Sequence, residues 1–143
     1  MSKAAEAVEL FRNGCACSQA VLTVYGAPYG LDRPTAMRLA AGFAGGMRLG
    51  RTCGAVTGAV MVLGLRHGGD DCERSAGRQA VNAAVRDFVA RFERRNGSSE
   101  CRAILGCDIS TPEGLKSAQD QGLFKTVCPK MVRDAGEILE EMR

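Results

Sequence analysis

Residues 54–65 read Gly-Ala-Val-Thr-Gly-Ala-Val-Met-Val-Leu-Gly-Leu, an almost wholly apolar run that only Thr57 interrupts. A run of this length and composition is compatible with either a buried helix or a buried strand. We predict a helix, because no other segment supplies a convincing partner strand. Gly54 and Gly58 lie one helical turn apart, so they would give this central helix a smooth face that another backbone can approach closely.

The segment before the central helix, residues 42–54, is too rich in glycine to form a regular helix throughout. It predicts a loop with unusual backbone angles that ends beside Cys53. A phosphate-binding loop is disfavoured, since no Gly-Lys-Ser or Gly-Lys-Thr closes the segment and no strand precedes it. We expect instead that Gly45, Gly46 and Gly54 let the backbone approach Cys53 and bring several amides within reach of a thiolate or a bound cofactor.

Helical spacing of apolar residues extends the pattern to both sides of the central helix. The predicted helices are Ala4 to Phe11, Cys17 to Tyr25, a helix capped by Asp32, Glu73 to Arg95, a short helix through Cys101 capped by Ser98 or Ser99, a brief helix start at Thr111, and a last helix from about Cys128. The fold class is therefore predicted to be all-α. We expect a compact bundle of about five to seven helices, with the glycine-rich loop before the buried central helix, forming a single domain over residues 1–143.

Composition and charge narrow the classes of function. The net charge of +3 comes from interspersed acidic and basic residues, and the densest basic stretch, residues 86–95, contains Asp87 and Glu93. Such a mixed run is typical of a solvated helix face, so we expect no nucleic-acid partner. The longest apolar run is far shorter than the roughly 20 residues of a membrane span. The first residues lack the apolar core of a secretory signal, which predicts a cytoplasmic protein whose disulfides would be catalytic or sensing.

Seven cysteines are many for a chain of 143 residues, and the odd number excludes a set of intrachain disulfides that uses all of them. Four of them fall at or within the first turn of a predicted helix: Cys17, Cys53, Cys101 and Cys128. Unpaired amides and the positive end of the helix dipole favour a thiolate there, and the thiolate is both the nucleophile and the metal ligand. For Cys15, Cys72 and Cys107 we favour the role of small buried apolar residues.

A metal site, if present, must be assembled from distant segments, because no Cys-x-x-Cys occurs in the chain. His67 is the only histidine, and we interpret it as a polar residue that ends the central helix. The four cysteines would suit zinc or an iron–sulfur cluster.

The order of motifs resembles a family described as redox-active and named for a C-GCAxxG-C-C cysteine pattern. The resemblance rests on segments 14–21, 42–47, 53–58, 101–106 and 128–132, and so covers nearly the whole chain. Its four characteristic cysteines match Cys17, Cys53, Cys101 and Cys128, whereas Cys15, Cys72 and Cys107 lie outside the pattern. The resemblance implies a redox role.

Two classes of function remain open from the sequence. The leading hypothesis is a cytoplasmic redox protein whose four cysteines converge, either to cycle between thiol and disulfide or to hold an iron–sulfur or other metal centre for an unidentified electron partner. The alternative is a non-enzymatic binding or sensing module held by a structural zinc or a redox-switched disulfide. The glycine face of the central helix could support a homo-oligomer, although we expect it to pack within the chain.

Overall fold

The computed structural model describes residues 1–72 and 75–143 and has an all-α fold. Within these residues there are nine α-helices: α1 Lys3–Arg12, α2 Cys17–Gly26, α3 Arg33–Ala40, α4 Gly54–His67, α5 Ser75–Asn96, α6 Cys101–Leu105, α7 Pro112–Asp120, α8 Leu123–Thr126 and α9 Cys128–Glu141. The all-α prediction is confirmed. The number of helices exceeds five to seven because residues 107–127, which lack a strong apolar period, contain both α7 and α8.

The predicted central helix is α4, and it packs against α2, α5 and α9. Seven of its residues are buried, including Ala55, Ala59 and Val62 with no exposed surface. The choice of helix over strand for this apolar run is therefore confirmed. No helix in the described ranges is long and apolar enough to cross a membrane.

Gly54 and Gly58 of α4 face the start of α2. A methyl group at Gly58 would lie 2.9 Å from the carbonyl oxygen of Ser18, and one at Gly54 would overlap the sulfur of Cys17. Ser18 is fully buried, and its hydroxyl donates a hydrogen bond of 2.8 Å to the carbonyl of Ala40 at the end of α3. The smooth face of α4 thus packs within the chain, and it sets the start of α2 directly on the start of α4.

Local signals fix most helix ends. Asp32 caps α3 by accepting a hydrogen bond from the amide of Thr35, and Gly97 follows α5 with a φ of 80°. The cap of α6 was predicted wrongly: Glu100 occupies that position, while the Ser98 hydroxyl accepts from the amide of Glu100 before the helix begins. The predicted start of α5 at Glu73 lies outside the described residues.

The rest of the core is made by α1, α5 and α9 around α2 and α4. Phe88 and Phe92 of α5 are fully buried and stack with ring centroids 6.2 Å apart. At the rim, Arg95 of α5 bonds Asp134 and Glu137 of α9. These contacts hold α9 in place, and Cys128 is its first residue.

A candidate thiol site

The four predicted cysteines lie at the starts of four helices. Cys17, Cys101 and Cys128 are the first residues of α2, α6 and α9, and Cys53 is the N-cap of α4. All four line one cavity with a volume of about 720 Å³. The fold therefore brings together side chains that are separated by up to 111 positions in the sequence.

A short backbone pairing places Cys53 beside Cys101. Thr52 and Glu100 form an isolated antiparallel bridge. On either side of it, the amide of Cys53 donates to the carbonyl of Ser99 at 2.7 Å and the amide of Cys101 donates to the carbonyl of Arg51 at 2.5 Å. The pairing of these two segments thus fixes the backbone positions from which Cys53 and Cys101 enter the cavity.

The start of α2 is also fixed by hydrogen bonds. Gln19 accepts from the amide of Ala16 at 2.8 Å through its side-chain oxygen, and its side-chain nitrogen donates to the carbonyl of Met37 at 2.9 Å. Together with the bond from Ser18 to Ala40, these contacts determine where Cys17 enters the cavity. Gly54 lets Cys17 and α4 come close together, because any side chain at position 54 would occupy the space of the Cys17 sulfur.

Cys17 and Cys53 form a hydrogen-bonded thiol pair. The hydrogen bond from the Cys53 thiol is the main cause that lowers the pKa of Cys17 from its ordinary value of 9.0. Burial opposes this, and hydrogen bonds from the backbone amides of Ser18 and Gly45 add to the lowering. The same pairing with Cys17, together with burial, raises the pKa of Cys53 well above 9.0. Of the two thiols, Cys17 therefore ionises first, and Cys53 keeps its proton to a higher pH.

Cys101 and Cys128 remain protonated. Burial, aided by the charge of Cys17, raises the pKa of Cys101 to about 11 and that of Cys128 to about 12. The expectation that every helix start would favour a thiolate is thus wrong for Cys53, Cys101 and Cys128. At Cys53 the pairing with Cys17 is the main cause, followed by burial, whereas at Cys101 and Cys128 the cost of burying a charge exceeds the help from the helix start. The helix α6, with five residues, also has only a small dipole.

The glycine-rich segment forms a left-handed turn beside the thiol pair. Gly45, Gly46, Met47 and Arg48 all have φ between 62° and 65°. Met47 and Arg48 each have a side chain, and non-glycine residues in this region cost about 1–3 kcal/mol each. The predicted unusual backbone angles are therefore present, and the strain lies at the edge of the thiol cavity.

The three glycines expected to bind a cofactor have different positions. Gly45 and Gly54 line the cavity, and the amide of Gly45 bonds the sulfur of Cys17. Gly46 is buried and does not line it; a methyl group there would overlap the backbone of Arg51. Gly46 therefore allows the turn to close on itself.

Sequence reasoning missed Arg48, which lines the same cavity and is the only charged side chain to do so among residues 1–72 and 75–143. The signal that could have identified it is a cation between glycines in a segment already expected to be strained. The walls that face it are mainly apolar, and Phe11, Ile104 and Phe124 contribute to them.

The described residues contain no preassembled metal centre. Among residues 1–72 and 75–143, no group of three or more cysteine, histidine or carboxylate side chains is placed to hold a metal ion. Cys17, Cys53, Cys101 and Cys128 line the same cavity, and Cys17 and Cys53 are the two for which the other thiol is the main cause of the pKa shift.

The remaining cysteines and His67 lie away from the thiol pair. Cys15 is half-buried and lines a neighbouring, smaller pocket with Arg12 and Lys125, while Cys107 is half-buried beside Ser117 at 3.6 Å. Cys72 is exposed, so its interpretation as a buried apolar residue is wrong. His67 is the last residue of α4, as predicted.

A family model described as "Putative redox-active protein (C_GCAxxG_C_C)" matches residues 15–142. The matched span contains all seven cysteines and every helix from α2 onward. No curated protein and no solved structure gives a significant match. The resemblance drawn from the cysteine motifs is therefore confirmed.

Proposed function

Because the chain belongs to the C_GCAxxG_C_C family, whose description indicates a redox-active protein, we propose that it carries out thiol–disulfide exchange. In this reaction Cys17 and Cys53 alternate between a dithiol and a disulfide. The observation that carries the proposal is that Cys17 and Cys53 line one cavity at the adjoining starts of α2 and α4, where the Cys17 sulfur lies against Gly54, with a lowered pKa at Cys17 and a raised pKa at Cys53.

The adjoining helix starts favour a disulfide between Cys17 and Cys53. A disulfide needs the two sulfurs about 2.0 Å apart and the two Cβ atoms close together. The Cys17 sulfur lies against Gly54, the residue that follows Cys53, on helix starts that Gly54 and Gly58 allow to approach closely. We therefore expect side-chain rotation to bring the two sulfurs together.

The exchange proceeds in two steps that balance. The Cys17 thiolate attacks a disulfide R–S–S–R′, forming a mixed disulfide with R–S and releasing R′–S⁻. Cys53 then gives its proton to the released thiolate, and its own sulfur attacks Cys17 and expels R–S⁻, which takes a proton from water. The protein becomes a disulfide, the substrate becomes two thiols, and an external dithiol protein restores Cys17 and Cys53 by the reverse exchange.

Cys101 and Cys128 are two further thiols in the cavity that contains Cys17 and Cys53. Their raised pKa values keep them protonated while Cys17 reacts. They also line the space that the substrate would enter, so they are placed to accept a disulfide from the first pair by exchange. A dithiol resting state suits a reducing compartment, and we therefore propose a cytoplasmic setting.

The test is a redox titration of the anaerobically purified protein against dithiothreitol and its oxidised ring form. We expect a reversible loss of two thiols. Tryptic peptide 52–66, which contains Cys53, should become linked to peptide 13–38, which contains Cys15 and Cys17. Cys17→Ser and Cys53→Ser should each abolish the link, whereas the matched controls Cys15→Ser and Cys72→Ser should retain it.

Elemental analysis and a visible spectrum of the same sample decide between this proposal and its alternatives. Stoichiometric iron with the absorption of an iron–sulfur cluster would replace it by a metal centre for electron transfer. Stoichiometric redox-inert zinc without a reversible disulfide would favour the binding or sensing module. Seven free thiols under both oxidising and reducing conditions, with no metal, would overturn the proposal outright.

A further inference from the structure

The cavity that holds the thiols is larger than a disulfide exchange between two cysteines requires. Its volume of about 720 Å³ lies in the range of small-molecule sites, and its walls are largely apolar. Phe11 of α1 and Phe124 of α8 face it from different helices. Such a space suits a small organic molecule whose body is apolar.

The charge on the cavity lining is positive. In the part of the chain that the structure describes, Arg48 is the only charged residue that lines the cavity, and no carboxylate lines it. Arg48 forms no ion pair with any residue of the described ranges; its guanidinium donates one hydrogen bond of 3.3 Å to the carbonyl of Ala41. By contrast, the nearby Arg102 lies 3.9 Å from Asp108. The guanidinium of Arg48 thus keeps most of its donors available at the open edge of the thiol cavity.

The backbone of Arg48 adds an independent observation. The residue has a left-handed conformation with a φ of 62°, which β-carbon-bearing residues rarely adopt. The turn contains glycines at positions 45 and 46, but the arginine itself is not a glycine. Strain of this kind persists where the surrounding structure imposes it, and it is common at ligand-binding sites.

From these observations we infer that the cavity binds a small organic disulfide with an apolar body and a carboxylate, and that Arg48 pairs with the carboxylate. This inference rests on the proposed thiol–disulfide exchange and names its substrate class. A guanidinium binds a carboxylate through two parallel hydrogen bonds, which would fix the orientation of the substrate. The Cys17 thiolate then attacks the substrate disulfide, and two organic thiols leave the cavity as Cys17 and Cys53 become bonded.

The test compares two aromatic disulfides with the reduced protein in a background of Cys15→Ser, Cys72→Ser and Cys107→Ser. Dithiobis(nitrobenzoate) carries carboxylates, and dithiodipyridine is neutral at the pH used. We expect Arg48→Gln to slow the reaction with the anionic reagent about tenfold, the size expected for the loss of a charge-assisted hydrogen bond. The rate with the neutral reagent should stay within about twofold, because that reagent has no charge for Arg48 to bind.

Arg51→Gln is the matched control. Arg51 is an exposed arginine three residues away that does not line the cavity, so its loss removes the same charge from the chain without touching the site. Both reagents should react with this variant at close to the unaltered rate. Arg48→Lys should recover part of the anionic rate, since lysine restores the charge without the forked geometry.

Each outcome has a distinct meaning. Equal slowing of both reagents in Arg48→Gln would show that Arg48 only shapes the turn, and would overturn the inference. If Arg48→Gln leaves the rate with each reagent unchanged, the inference is overturned as well. Formation of the disulfide between Cys17 and Cys53 in the same experiment would leave the proposed function standing. Failure of either reagent to produce that disulfide would instead refute the proposed function itself.

Discussion

The close contact between α2 and α4 predicts opposite effects for the same substitution at two glycines of one helix. Gly58 and Gly64 both lie inside α4. A methyl group at Gly58 would meet the carbonyl oxygen of Ser18 at 2.9 Å and Val21 Cβ at 3.2 Å, whereas one at Gly64 would meet nothing within 4 Å. We therefore expect Gly58→Ala to destabilise the protein and Gly64→Ala to stabilise it.

The magnitudes follow from two contributions. In a helix interior, alanine is favoured over glycine by about 0.5–1 kcal/mol, which both variants gain. Only Gly58→Ala is also destabilised by overpacking, by about 1–3 kcal/mol, because the backbone of Ser18 cannot move aside. Ser18 is fully buried and tied to Ala40 by a 2.8 Å hydrogen bond. The net effects are a loss of about 0–2.5 kcal/mol for Gly58→Ala and a gain of about 0.5–1 kcal/mol for Gly64→Ala, so the two variants should differ by about 1–3 kcal/mol.

The difference between the two variants is the most informative quantity. The change in the unfolded chain is the same for both, so it cancels in the comparison. Urea denaturation under reducing conditions, followed by far-UV circular dichroism because the chain has no tryptophan, gives the free energy of unfolding. Oxidation of Cys17 and Cys53 should also be slower in Gly58→Ala, since the methyl group moves the start of α2 away from α4. A Gly58→Ala protein as stable as Gly64→Ala would refute the proposed close approach of the two backbones.

Two further predictions concern the titration of the thiols. Cys53→Ala removes the main hydrogen bond that lowers the pKa of Cys17, so the pH profile of alkylation at Cys17 by iodoacetamide should shift to higher pH; an unchanged profile would exclude the thiol pair. The raised pKa values of Cys101 and Cys128 mean that the unfolded chain loses these protons first as the pH rises. Their contribution to the free energy of unfolding is then complete below about pH 9 and is lost towards pH 11–12. Cys101→Ala or Cys128→Ala should therefore flatten the fall in the free energy of unfolding that is measured across this range. An equally steep fall in these variants would contradict the pKa assignments.

The helix starts that carry the site could be predicted because their signals are local. A break at Gly14, a cap at Asp32 and a proline after Cys128 each act within a few residues, and the structure confirms the helices that they delimit. The four cysteines could therefore be assigned to helix starts before any tertiary contact was known. Local signals were weaker in residues 107–127, where α7 and α8 extend further than the pattern indicated.

What the sequence did not predict depends on tertiary packing. A helix start favours a thiolate only if the sulfur keeps enough solvent or enough donors, and the exposed fraction of Cys53 or Cys101 is below one tenth. That burial reverses the expected direction of the pKa shift at Cys101, and at Cys53 it adds to the larger effect of the pairing with Cys17. Arg48 was missed for a related reason: it shares a cavity with apolar side chains that α1, α6 and α8 contribute from distant parts of the sequence.

The contact at Gly58 also constrains how related sequences can diverge. A larger residue at position 58 would require a shift of α2, because the opposing surface is backbone and cannot be trimmed by a second substitution. At Gly54 the shortest contact of an added Cβ would be with the sulfur of Cys17, and the next would be with the backbone of Ala44 at 3.0 Å, so a side chain there requires both the loss of the thiol and a small shift of the glycine-rich turn. Relatives that have lost Cys17 should therefore accept alanine at position 54 more readily than at position 58, a pattern that would separate selection on chemistry from selection on folding.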